Sequence, residues 1–63
     1  MQNIIEALTT EINSLHHEMK SGILPDNNFY NGRLDGLFIA LKIIAEQDGK
    51  LVKYDAERDE YFI

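Results

Sequence analysis

Apolar residues recur along the first third of the chain in alternating steps of three and four, at Ile5, Leu8, Ile12, Leu15 and Met19. That spacing lays a single narrow stripe along one helix face and predicts an amphipathic α-helix over about residues 2–21. Glu, Asn, Thr, Ser, His and Lys fill its other faces. Asn3, with Glu6 three positions on, is the expected N-cap, Lys20 suits the negative end of the helix dipole, and Gly22 is a natural residue for the turn after it. Two and a half heptads are too few for a free-standing coiled coil, so the stripe is expected to pack on another helix.

A short connector, Ile23 to Asn27, follows. Pro25 drives Leu24 out of the helical region, and Asp26 or Asn27 can cap what comes next. What comes next is a long apolar-rich stretch, NFYNGRLDGLFIALKIIAEQ, which predicts a second helix over about residues 27–48. A link this short between two helices implies an antiparallel helical hairpin. The rival reading is a β-turn at Asn31-Gly32. It would need alternating strands on both sides, whereas Leu34, Leu37, Leu41 and Ile44 recur at helical spacing.

The second helix carries more apolar residues than one face can hold. At 100° per residue, Tyr30, Leu34, Leu37, Phe38, Leu41 and Ile44 fall on one side and Phe29, Ile39, Ala40 and Ile43 broadly opposite, with Gly32 and Gly36 among them. Asn28, Asn31, Asp35, Lys42 and Glu46 form only a narrow polar stripe. A helix apolar almost all round is built to be buried on two sides. The first side suits the stripe of the first helix. The second, with Gly32, Gly36 and Ala40 four apart, suits close approach by another backbone, either a partner chain or the C-terminal strands. Phe29, Gly32, Arg33, Gly36, Ile39, Ala40 and Ile43 are therefore the candidate oligomer or partner interface. Arg33 is expected to pair with a Glu of the first helix or to anchor a partner.

Asp48-Gly49 ends the helical pattern, and the chain changes character. LVKY and EYFI are rich in β-branched and aromatic residues and flank a polar DAERD, which predicts a β-hairpin over about residues 50–63. An isolated hairpin is marginal in water, so this one is expected to dock on the helices. The expected architecture is thus mainly α, an antiparallel helical hairpin followed by a short C-terminal β-hairpin, in one small domain spanning 1–63 and associating as a homodimer or higher symmetric oligomer.

Length and composition sharpen this. A 63-residue chain buries only roughly 60% of its unfolded surface, so its core is marginal without help. There is no cysteine to supply a disulfide or a thiolate metal site. The net charge is -5, from six Lys/Arg against eleven Asp/Glu, with no basic cluster. Direct nucleic-acid binding is therefore disfavoured. The carboxylates are interleaved with Lys50, Lys53 and Arg58 rather than laid in a row, which fits solubility better than mimicry of nucleic acid. No stretch has the 18 or more apolar residues of a membrane span, and the first residues lack the basic region of a secretory signal, so a cytoplasmic location is expected.

Motifs that carry chemistry are not found. His16-His17-Glu18 diverge by about 100° per residue, whereas helical metal ligands sit four apart. His16 reads as a half-buried packing residue and His17 as solvated surface. Asp35 and Glu46, at a rise of 1.5 Å per residue, lie about 16 Å apart, too far for an acid and base pair. Asp55, Glu57, Asp59 and Glu60 crowd the hairpin loop but miss the calcium-loop offsets and read as a solvated charge run. Ser14 and Ser21 lack the setting of a nucleophile elbow. No catalytic, cofactor-binding or metal residue is assigned, and enzymatic activity is not expected.

The run Tyr30-Asn31-Gly32-Arg33-Leu34-Asp35-Gly36-Leu37, continuing through Ala40-Leu41-Lys42-Ile43-Ile44, resembles a Y-x-G-R-[LI]-D-[AG]-L pattern of short phage and prophage proteins. It covers about a quarter of the chain. The resemblance implies an accessory role, binding and inhibiting or redirecting a host protein. A protein-binding regulator or inhibitor is thus the leading expectation. A nucleic-acid mimic or small DNA-binding protein using the C-terminal hairpin is the alternative, and a structural oligomerisation unit a third.

Overall fold

A computed structural model of the chain describes residues 2–63. Two helices, α1 (Gln2–Lys20) and α2 (Asn28–Gln47), are followed by strands β1 (Lys53–Asp55) and β2 (Glu60–Phe62). The strands pair antiparallel, with Lys53 opposite Phe62, Tyr54 opposite Tyr61 and Asp55 opposite Glu60. The mainly α architecture of a helical hairpin and a β-hairpin is as expected.

The core follows the stripe. Ile5, Ile12 and Leu15 of α1 are buried, with Leu8 and Met19 partly so; Leu41 and Ala45 of α2 are buried too, and Ile5, Ile12 and Leu41 form one cluster. Leu34, Leu37, Phe38 and Ile44 close over that cluster, joined by Val52, Tyr61 and Ile63 from the C-terminal segment. A stripe with steps of three and four stays in register with a second helix over several turns, which is why α1 commits its few apolar residues to one seam.

The helix ends are set by local chemistry. The Oδ1 of Asn27, in extended conformation, accepts from the N–H of Tyr30 at 3.0 Å, so Asn27 is the N-cap of α2. At the other end Gly49 takes a φ of 69°, and the amides of Gly49 and Lys50 bond back to Glu46 and Ala45. This closing turn needs a residue free to adopt positive φ, which glycine supplies. Asn3 is not a cap, because α1 already runs at Gln2 and places Asn3 inside its first turn. The hairpin strands are shorter than the pattern implies. Leu51 and Val52 lie outside β1, and only three residues pair on each side.

Two features hold this short hairpin. Asp55 Oδ1 accepts from the amides of Glu57 (3.0 Å) and Arg58 (3.3 Å), closing the four-residue loop from within. On α1, Asn13 Nδ2 donates to the Tyr61 carbonyl at 2.9 Å, while Asn13 Oδ1 accepts from the Tyr61 amide at 2.7 Å. The side-chain amide thereby stands in for one residue of a neighbouring strand and satisfies the outer edge of β2. Tyr61 also sets its ring edge-on to Phe38, centroids 4.6 Å apart.

Replacing Asn13 by alanine leaves both backbone groups of half-buried Tyr61 without these partners. We expect a loss of about 1–3 kcal/mol, read as a lower urea midpoint followed by circular dichroism. An unchanged midpoint would show that the Asn13 pairing is not what docks the hairpin.

Candidate functional site

Because the α1 stripe takes only one side of α2, the other side is left bare. Phe29 and Ile39 are 70% and 61% exposed and Ile43 is 53% exposed. With Gly32 and Gly36 they form a continuous outer face. Ala40, at its border with the core side, is half-buried. Arg33 flanks the face and is tied to its own chain, with Nη2 3.3 Å from Glu11 Oε1. That pair is about half exposed at both ends, so it contributes little to stability.

The C-terminal hairpin is not what covers this face. β2 lies along α1 and reaches α2 through the Tyr61 and Phe38 rings, on the core side. Neither glycine is explained inside the chain, since a Cβ built at Gly32 or Gly36 meets nothing within 4 Å. A glycine in a helix interior costs about 1 kcal/mol against alanine, and no intrachain packing offsets it.

Beside the face runs a shallow apolar groove of about 250 Å³, between α2 and the segment leading to β1, lined by Phe38, Ile39, Lys42, Glu46, Leu51 and Val52. Leu51 is 70% exposed at its rim. Sequence pattern had placed Leu51 and Val52 in a strand. The signal that separates them is their position just after the helix-ending Gly49, where the chain turns back along α2 before pairing begins.

A polar cluster joins the hairpin loop to the end of α1. Asp59 adopts a φ of 55°, in the left-handed region that Asp tolerates better than most residues. Its carboxylate accepts from Lys20 Nζ at 2.6 Å, from His16 Nε2 at 3.0 Å and from the Tyr54 hydroxyl. Its carbonyl accepts from His17 Nε2 at 2.8 Å. Asp59 is therefore no simple solvated charge, and His17, although exposed, is not merely surface. The bonded Lys20 ammonium, then the Tyr54 hydroxyl and His16, hold the Asp59 carboxyl well below the usual carboxylate range. Tyr54 moves the opposite way. Its hydrogen bond to Asp59 first, then desolvation and the negative charges nearby, push the phenol up to about 12. Among the described residues no group of three or more His, Asp or Glu side chains is placed to hold a metal ion. Among the described residues neither Asp35 nor Glu46 has an ionic partner within 4.0 Å.

Compared with protein-family models, with curated protein sequences and with solved structures, the chain finds no match. Functional inference therefore rests on its own surfaces.

Two titrations test the cluster. Since the folded Asp59 carboxyl lies below its unfolded value of about 3.9, its contribution is complete above that pH and is lost as pH falls toward the folded value. Asp59→Asn should thus lower the urea midpoint at pH 7, and the gap to the unsubstituted chain should narrow below about pH 4. A gap independent of pH would contradict this. In a phenolate absorbance titration, one of the three tyrosines should ionise near 12, and Tyr54→Phe should remove that step alone.

Proposed function

We propose that this chain is a non-enzymatic protein-binding module whose contact surface is the outer face of α2 with the adjoining Leu51 groove. It acts as a small regulator or inhibitor in the cytoplasm, occupying a surface of a host protein and blocking what that surface would otherwise bind. The observation that carries the reading is the exposed row of Phe29, Ile39, Ile43 and Leu51 on a chain this small. Single exposed apolar residues are ordinary, but a contiguous row along one helix marks an interaction site. Phe and Leu anchors beside a groove, with Arg33, Lys42 and Glu46 at the edge, match an interface of apolar centre and polar rim. The resemblance of residues 30–44 to short phage and prophage proteins supports a host protein as the target.

The charge arrangement also favours a protein partner over nucleic acid. Lys20, Arg33, Lys50 and Arg58 each lie within 4.0 Å of a carboxylate of their own chain. Their charges are locally balanced, and the long-range pull of a basic patch on phosphate is missing. No helix among the described residues is long and apolar enough to cross a membrane.

The test is affinity capture from a bacterial lysate followed by mass spectrometry. A stoichiometric protein should be retained by the unsubstituted chain and by Ile23→Asp, which alters an exposed residue of the connector. It should be lost with Ile43→Asp and Leu51→Asp. Capture of no stoichiometric partner, or capture that survives both latter substitutions, would overturn the proposal.

A further inference from the structure

We infer that the Gly32 to Ile43 part of the outer face is covered by the same face of a second copy, the two α2 helices lying antiparallel about a two-fold axis near Phe38. The inference rests on the reading of this face as a protein contact and names a second copy as the occupant that a host protein displaces. It is carried by two independent kinds of complementarity, one of size and one of charge.

Size comes first. Phe29, Gly32, Arg33 and Gly36 stand at i, i+3, i+4 and i+7 and outline one hole on the helix surface, of the kind a side chain from a facing helix fills. Its floor is made of two glycines over which there is open space. With the axis at the height of Phe38, the residue of the second copy that arrives opposite this hole is Ile43, an exposed β-branched side chain. Gly36 then faces the second copy's Ala40, and Phe29 faces its Gln47. Ile43 fills the glycine hole, the small Gly36 and Ala40 let the backbones approach between the two holes, and the symmetry repeats each contact.

Charge is independent of this. Asp35 and Lys42 lie on the same flank of α2, seven positions or about 10 Å apart along the axis. Among the described residues neither has an ionic partner within 4.0 Å. The same axis brings Asp35 of each copy beside Lys42 of the other, twice over. A parallel two-fold pair would put this flank of the two copies on opposite sides of the contact, and the Asp35 to Lys42 pairing would be lost. The Asp35 and Lys42 flank therefore finds its complement in the antiparallel orientation.

The area sets the expected strength. A 20-residue helix offers a strip of about 30 Å by 10 Å, below the roughly 800 Å² per partner of a standard stable interface. Each copy also carries a charge of -5, so the remaining surfaces repel unless salt screens them. The pair should consequently form and dissociate with concentration.

Because the chain has no cysteine, single cysteines report the register. A residue one position from the axis is displaced from its symmetry mate by only about 3 Å along the helix, whereas positions 29 and 43 are displaced by about 27 and 15 Å. A disulfide needs Cα atoms within about 7 Å. Under mild oxidation Ile39→Cys should crosslink to itself, and Phe29→Cys and Ile43→Cys should not. Sedimentation from low micromolar to submillimolar concentration at physiological salt should show a monomer and dimer equilibrium. Gly36→Leu should weaken it by about tenfold or more while helicity by circular dichroism is kept. Lys42→Asp should weaken it too, and adding Asp35→Lys should restore it.

A monomer at every concentration, or equal crosslinking at all three positions, overturns the inference. If such a monomer still captures a host protein through Ile43 and Leu51, the protein-binding reading stands and only the second copy is removed as occupant. If capture also fails, both fall.

Discussion

Everything in this chain depends on how little it has to bury. Ile5, Ile12 and Leu15 against Leu41 and Ala45 are the whole fully buried set among the described residues. Their burial, at roughly 1.5–3 kcal/mol for each of the larger side chains, is small beside the conformational entropy that ordering the chain costs. That constraint explains why α1 spends its apolar residues on a single stripe, and why the partly buried ring of Leu34, Phe38, Val52 and Tyr61 closes over the seam from both other elements. Off that stripe, exposed Ile4 is the only large apolar residue of α1 among the described residues.

The same scarcity explains the hairpin. Three residue pairs do not make a stable sheet in water, so β2 is held by polar chemistry from α1 as well as by the packing of Tyr61 on the core. Asn13 satisfies one edge residue of β2, and Asp59 gathers Lys20, His16 and Tyr54 at the loop. Both ties come from α1, one near its middle and one near its C-terminal end, so the hairpin lies along α1 and stays clear of the outer face of α2. The polar ties thereby decide which apolar surface remains open.

What was legible in the sequence was whatever depends on local spacing. The α1 stripe, the Asn27 cap, the Gly49 closing turn and the division of α2 into two unlike sides all follow from residues within a few positions of one another. The Asn13 to Tyr61 pairing and the Asp59 cluster span 48 and 43 positions, and no periodicity encodes them. Asn13 looks like one more polar residue on a solvent face, and Asp59 like one charge in an acidic loop. Asn3 misled for the opposite reason. It has the right residue type and the right Glu partner for a cap, but the seam begins at Ile5 and draws the helix back to Gln2. The outer face of α2 was visible as an excess of apolar residues, yet only the placement of the hairpin shows that none of the described residues covers it.

Fold and candidate interface are consequently almost separate on one helix. Leu34, Leu37, Leu41 and Ala45 serve the seam, while Phe29, Ile39 and Ile43 stay exposed and a Cβ at Gly32 or Gly36 would meet open space. Substitutions on the outer face withdraw little from a core that has nothing to spare. The glycines make the point most sharply. Within a single copy each weakens the helix and packs against nothing, so a stability argument alone would place alanine at both positions. In the antiparallel pairing proposed above, close approach by the second backbone would repay that loss.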